Sequence, residues 1–271
     1  MPEDILTEDD ILKLLDATQN LRDKAIISLL FDSGARIAEL LGIRIKDIDL
    51  SSEPAHVRVD GKTGPRVIPL MFSAPYLGSY LETLKSKKPT DFIWIGLGTW
   101  SNSNMRPDYG AVRMMLQRLA KKATINKRVN PHSFRHARAT NYANKLTEQQ
   151  LKRFFGWTGG SAMAATYVHL SGKDIDGAVL EANGEAPKAI ATPKLKNQNC
   201  RRCKQANGVS NSYCSRCGAP LDINVAMMQQ HARAYASVHG TGNTELTEEW
   251  VRDMIKKQLE SMKKTENTTI K

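Results

Sequence analysis

Cysteine is scarce in this sequence: four among 271 residues, Cys200, Cys203, Cys214 and Cys217, all inside one short window. So small and clustered a set reads more naturally as a metal site than as a disulfide framework. No apolar run comes near the roughly 18–20 residues a membrane helix needs. The N-terminal segment MPEDILTEDD is acidic and polar where a signal peptide is basic and then apolar. The expectation is a soluble, cytoplasmic protein with no membrane partner. Internal repeats and low-complexity tracts are also missing. What is present, 41% hydrophobic and 25% charged residues, is an ordinary globular balance. A chain of this length has enough apolar residues for one substantial core and a small appendage.

The formal net charge is +11, and its placement matters more than its sum. Between Met105 and Arg153 there are twelve Lys or Arg against only Asp108 and Glu148, whereas the first 35 residues carry eight acidic side chains against Lys13, Arg22 and Lys24. A basic block on ordered helices is the footprint of a phosphate-rich partner; the plainer alternative is an evenly basic, solvated surface.

Local signals divide the chain. Thr7 with Asp10 resembles a capping box ahead of the helical run ILKLLDA. LRDKAIISLLFDSG predicts a second helix stopping near Gly34, and ARIAELLG a short third one. From His56 to Leu70 the period changes to alternation around DGKTG, a hairpin with Lys62 at its tip. A basic helix is expected from about Asp108 to Ala123, a Pro131-initiated helix to about Lys145, and a Thr147-capped helix ending at Gly156. Further helices are expected over Asp222–Tyr235 and Thr247–Lys263, the latter with an apolar side suited to core packing or to docking on a neighbouring protomer.

Four short segments hold candidate chemistry. In GARIAEL, Arg36 stands three residues before Glu39, so a carboxylate can hold the guanidinium in place; alone, this is an ordinary surface ion pair. Lys62 alone is an exposed turn lysine. In NPHSFRHARAT, His132 and Arg135 project together from the start of a basic helix, with His136 beside them. In GWTGGSAMAATYVHL, Trp157 follows a glycine and Tyr167 comes ten residues later; alone, Tyr167 is a half-buried tyrosine bonding through its hydroxyl.

Taken in order, these pieces resemble the tyrosine recombinase (phage integrase) family over roughly Thr7 to Lys173, with HSFRHARAT and TYVHL the most specific parts. The resemblance implies paired arginines at Arg36 and Arg135, the histidine of a His-x-x-Arg box at His132, and a hairpin lysine at Lys62. It also implies Trp157 at a position that holds either His or Trp, Tyr167 as nucleophile, and Glu39 supporting Arg36, with His136 as a further supporting group. It implies a mostly helical α+β fold, the DNA breaking-rejoining catalytic fold with a small antiparallel sheet.

The implied activity is site-specific DNA recombination through a 3′-phosphotyrosyl intermediate, with no ATP, divalent metal or other cofactor in catalysis. The partners would be double-stranded DNA and other copies of the chain, a tetramer on DNA. Two other readings stay open: a DNA-binding regulator that keeps the fold without catalysis, and a topoisomerase IB-like relaxing enzyme. The chemistry suits the residues. Guanidinium forks match phosphate oxygens and stay charged, a phenol can be held as a phosphate ester, and His132 would act as acid and base toward the phenol. Lys62 would protonate the leaving 5′ oxygen, and Trp157, a donor only, would pack and contact phosphate.

Cys200-x2-Cys203 and Cys214-x2-Cys217 form two knuckles suited to one structural Zn²⁺ in a ribbon, with Gly208 and Gly218 where tight turns are needed. Arg201, Arg202, Lys204 and Arg216 beside them suit a second DNA contact or a protein contact. The expected organisation is a catalytic domain over 1–182, a linker over 183–198, a four-cysteine zinc ribbon over 199–221 and a C-terminal helical segment over 222–271. Most members of the family resembled carry an N-terminal helical clamp ahead of the catalytic domain, and this chain begins almost directly at the latter. Either the ribbon and C-terminal helices take its place, the chain is a shortened remnant, or a partner supplies it.

Overall fold

The structure, a computed structural model, describes residues 4–96, 105–143, 145–170, 179, 183 and 194–230. The expected helix over Thr247–Lys263, residues 231–235 of the one before it and most of the expected linker lie outside these. The chain forms two compact units, a larger one from residues up to 198 together with Ala206–Ser210, and a smaller one from 199–205 and 211 onward. No helix of the described residues is long and apolar enough to cross a membrane.

The larger unit starts with α1 (Glu8–Ala17), whose Thr7–Asp10 capping box is complete and whose Asp10 also pairs with Lys127 at 2.7 Å. Helix α2 (Leu21–Ser33) is buried from Ala25 to Ser33 on all sides, as a central helix must be; it ends at Gly34 with φ +56°. After the short α3 (Ile37–Leu41) comes an antiparallel sheet, β1 (Ile48–Asp49), β2 (Ala55–Gly61) and β3 (Gly64–Leu70), in that order. Alternation decides which face is buried. Ala55, Val57 and Val59 of β2 face the core opposite Leu70, Ile68 and Arg66 of β3. The hairpin tip is Lys62–Thr63, as expected.

Helix α4 (Ala74–Leu81), for which the sequence reading made no provision, packs Tyr76, Leu77 and Tyr80 inward. The basic helix is α5 (Tyr109–Lys122), capped by Asp108 and burying Val112, Met115, Leu116 and Leu119. A second, smaller apolar cluster joins α6 (Pro131–Ala143), α7 (Glu148–Phe155) and α8 (Met163–Leu170) through Ala139, Leu151, Phe155, Ala164 and Tyr167. Asn130 caps α6 by accepting from the backbone N–H groups of His132 and Ser133, and α7 has the expected Thr147–Gln150 box.

Two details differ from expectation. Residues at the end of the segment read as a linker are held to the larger unit, since Leu195 is buried in its core and Lys194 pairs with Asp9 at 2.6 Å. Gly208 is required by close approach and not by a turn, because a Cβ there would stand 2.2 Å from the Tyr76 ring.

Candidate active site

The site is built around the carbonyl groups of Phe155 and Gly156, at the end of α7. Gly156 stops the helix in the left-handed conformation, φ +60°, and a Cβ there would also stand 2.8 Å from Arg66 Nη1. This turn aims two successive carbonyls at two arginines from distant parts of the chain. Arg36 donates to the Gly156 carbonyl at 3.4 Å through Nη2, and Arg135 donates to the Phe155 carbonyl at 2.6 Å and to the Gly34 carbonyl at 2.8 Å. Thr63, next to Lys62 on the hairpin tip, adds a hydroxyl donor to Gly156 at 3.1 Å. Lys62 itself is exposed and forms no hydrogen bond or ion pair among the described residues.

Beneath Arg36 lies Glu39, its side chain 3% exposed against 39% for the arginine. It accepts from Arg36 Nη1 at 3.0 Å and from the Arg36 backbone N–H at 2.8 Å, as the spacing suggested. Arg66 supplies two more, through Nη1 at 2.9 Å and Nη2 at 2.8 Å. Burial pushes the Glu39 carboxyl up, but the hydrogen bonds from Arg66 and Arg36 outweigh it and hold the group below its ordinary value. Gly61 is needed for this arrangement, since a Cβ there would stand 2.2 Å from Glu39 Oε1. Arg66 was missed by the sequence reading. Its signal was available, because the period of two from Leu70 and Ile68 puts Arg66 on the core-facing side of β3, where a charge demands a partner.

Arg135 is buried with no carboxylate at ion-pair distance among the described residues. Burial, and next the neighbouring Arg36 guanidinium, pull it down to about 10, which leaves it charged at neutral pH. Its guanidinium carbon lies 5.2 Å from the Phe155 ring centre and 5.6 Å from that of Trp157. Three aromatic rings then stack in a row: Phe155 on Trp157 at 4.9 Å, and Trp157 on Tyr167 at 5.5 Å with planes 4° apart. Tyr167 is 4% exposed and its hydroxyl is hydrogen-bonded to Nδ1 of His136. His132, one turn earlier on α6, is exposed and meets the His136 ring edge-on at 4.1 Å. Burial raises the Tyr167 phenol, against a smaller lowering by Arg135. Burial lowers both imidazoles, helped at His132 by Arg135 and Arg128, and at His136 by His132 and Arg135. Arg36 and Arg135 therefore meet at the loop that carries Trp157, with Glu39 beneath Arg36, Tyr167 stacked on Trp157, the His136–His132 pair reached through Tyr167, and Lys62 on a hairpin whose next residue bonds the loop.

The smaller unit brings together the four cysteines. The two knuckles repeat one backbone pattern: the Cys200 N–H donates to Gln205 and the Lys204 N–H to Cys200, as the Cys214 N–H donates to Ala219 and the Gly218 N–H to Cys214. The residue after each second cysteine, Lys204 or Gly218, is left-handed at φ +62° or +66°. All four sulfurs lie within 4.8 Å of one another, with Cys200–Cys217 at 3.6 Å and Cys203–Cys214 at 3.5 Å. A tetrahedron of thiolates with bonds of about 2.3 Å has edges of roughly 3.8 Å, so the donor set fits one metal ion and no disulfide.

Fold and site together define a helical α+β domain that sets guanidiniums and a phenol around one loop. A model of the phage integrase family matches residues 4–173, and the chain belongs to that family. It is 34% identical over 137 residues to tyrosine recombinase XerA of Pyrococcus horikoshii, covering 50% of this chain and 46% of that one. To tyrosine recombinase XerD of Staphylococcus epidermidis it is 30% identical over 183 residues, 64% of this chain and 60% of the other. The chain thus spans about half to three fifths of the length of these curated relatives. The crystal structure of XerA recombinase matches with a TM-score of 0.53 at 28% identity, over 67% of this chain and 64% of that one. XerH recombinase bound to its palindromic difH substrate, a post-cleavage complex, matches in fold with a TM-score of 0.53 at 17% identity, over 66% and 53%.

Proposed function

We propose that the protein is a site-specific recombinase that cuts and rejoins double-stranded DNA through a covalent ester between Tyr167 and a 3′ phosphate. The observation that carries this reading is the anchoring of Arg36 and Arg135 on the adjacent carbonyls of Gly156 and Phe155, next to the Trp157–Tyr167 stack. Carbonyl oxygens orient a guanidinium without neutralising it. Arg36 and Arg66 share the single carboxylate of Glu39, and Arg135 has no carboxylate at ion-pair distance among the described residues, so the site keeps excess positive charge for the non-bridging oxygens of a phosphodiester. Tyr167 attacks phosphorus, an imidazole of the His132–His136 pair takes its proton, and Lys62 protonates the departing 5′ oxygen. Trp157 holds the phenol ring by stacking. The phosphotyrosyl ester stores the bond for rejoining, so the chain's own residues suffice for both steps.

The test is covalent trapping on nicked duplexes randomised over their central segment. Wild-type protein should give a denaturant-resistant adduct, and Tyr167→Phe should bind the same DNA and give none. An adduct with Tyr167→Phe would place the nucleophile elsewhere, and DNA binding without a wild-type adduct would favour the non-catalytic regulator.

The four cysteines would hold one structural Zn²⁺. The ion's contribution is folding free energy, since all four ligands come from the chain. Purified protein should carry one equivalent of zinc, and a chelator should lower the melting temperature of this unit. Four freely reactive thiols in the native protein would overturn it.

A further inference from the structure

Tyr167 Oη has one hydrogen-bond acceptor in reach among the described residues, Nδ1 of His136. The two rings are tilted 48° with centroids 5.6 Å apart, and the opposite constraint is the parallel face of Trp157. An indole has no acceptor atom, so the residue closest to the phenol ring on that side cannot take its proton. His132 is exposed, and its ring meets His136 and not Tyr167, so it is poorly placed to take that proton either. His136 is half-buried on the same face of α6, one turn along, as a spacing of four places it.

Given the recombinase reading, we infer that His136, and not His132, is the base that takes the proton of Tyr167 during cleavage. Atoms and protons balance in this step. The Oη–P bond forms as the P–O5′ bond breaks; the Oη proton passes to His136 Nδ1, and the O5′ electron pair takes a proton from the Lys62 ammonium. In rejoining, the 5′ hydroxyl attacks phosphorus and gives its proton back to the Lys62 amine, while the Oη–P bond breaks and His136 returns its proton to Oη. For Nδ1 to accept, the imidazole must carry its hydrogen on Nε2 in the resting state. Burial keeps both partners neutral at rest, so the proton moves only as the Oη–P bond forms, when the phenol oxygen becomes strongly acidic and Arg135 lies close enough to steady the charge. His132 is then left to donate toward the phosphate from the open side.

The experiment uses the trapping duplexes in two forms, with an ordinary 5′ oxygen and with a 5′-bridging sulfur, a leaving group that needs no proton. His136→Ala and His136→Asn should both slow adduct formation by roughly 10²- to 10⁴-fold, equally on the two forms, whereas the defect of Lys62→Ala should disappear on sulfur. Asparagine keeps a side-chain oxygen to accept the phenol's hydrogen bond but cannot take the proton. Near-wild-type cleavage by His136→Asn would therefore overturn the role of base, as would rescue of His136→Ala by sulfur or faster cleavage by that variant. An adduct persisting in Tyr167→Phe would instead remove the recombinase reading itself. Independently of variants at 136, the imidazole ¹⁵N spectrum should show an accepting Nδ1 on His136 whose shift moves in Tyr167→Phe; an unmoved signal would overturn the contact.

Discussion

Helix α6 carries two buried arginines one turn apart, Arg135 and Arg138, each 6% exposed, and their surroundings are opposite. Arg138 donates to the Asp32 carboxylate at 2.8 Å and to the Tyr142 hydroxyl at 2.6 Å. The other oxygen of Asp32 accepts from Met71 and Ser73 backbone N–H groups at 2.7 and 3.0 Å, and from the Ser73 hydroxyl at 2.7 Å. That cluster ties α2 to α6 and to the segment between β3 and α4, and its charge is neutralised internally. Among the described residues, the polar and aromatic partners of the Arg135 guanidinium are carbonyl oxygens and ring faces alone. Similar burial with different partners separates an arginine neutralised by a carboxylate from one bonded only by neutral carbonyls.

Breaking each partner set should separate the two roles. The largest loss of stability belongs to Asp32→Ala, which strands a buried guanidinium and should cost about 3–5 kcal/mol, read as a fall in the denaturation midpoint. Should that variant melt like wild type, the Asp32–Arg138 pair would not be what joins α2 to α6. Arg135→Ala should lower adduct formation on the order of 10²- to 10³-fold while costing less stability than Asp32→Ala; unchanged cleavage would move Arg135 out of the site. The smallest effect concerns pH. The groups facing His136 are His132, Arg135 and Tyr167, and those facing His132 are His136, Arg135 and Arg128. Burial first, then these cations, set both imidazoles below their ordinary value. The folded state therefore binds fewer protons than the unfolded chain. Stability should be full above about pH 6.5 and decline as pH falls through the folded values. Melting curves of wild type and a His132→Gln/His136→Gln double variant should diverge across that window, the variant being the flatter.

What was legible in the sequence was local. Thr7 with Asp10, Thr147 with Gln150, Gly34 and Gly156 at helix ends, and the alternation of Val57 and Val59 with Arg58 act within a few residues, so spacing alone displays them. The same holds for the paired CxxC knuckles and the His-x-x-Arg segment. Harder to see were contacts whose partners lie far apart in the chain. Arg66 reaching Glu39 spans 27 residues, Arg138 reaching Asp32 spans 106, and Tyr167 reaching His136 spans 31. Helix α4 escaped notice because APYLGSYL begins with proline near its start, contains glycine and is too short to display a period of 3.6 clearly.

The inventory was written in the chain itself: which helices start and stop where, a hairpin with a lysine at its tip, four thiols at metal spacing, and the motifs whose resemblance to one family proposes a shared chemistry for Arg36, His132, Arg135, Trp157 and Tyr167. Packing settled how those groups are shared out. It gave Glu39 a second arginine in Arg66, left Arg135 unneutralised while Arg138 was paired, and gave the Tyr167 hydroxyl to His136 with Trp157 against its ring. The physical reason is that hydrogen-bond geometry and desolvation depend on distances of a few tenths of an ångström between elements that packing brings together, and residue spacing along a chain does not encode those distances.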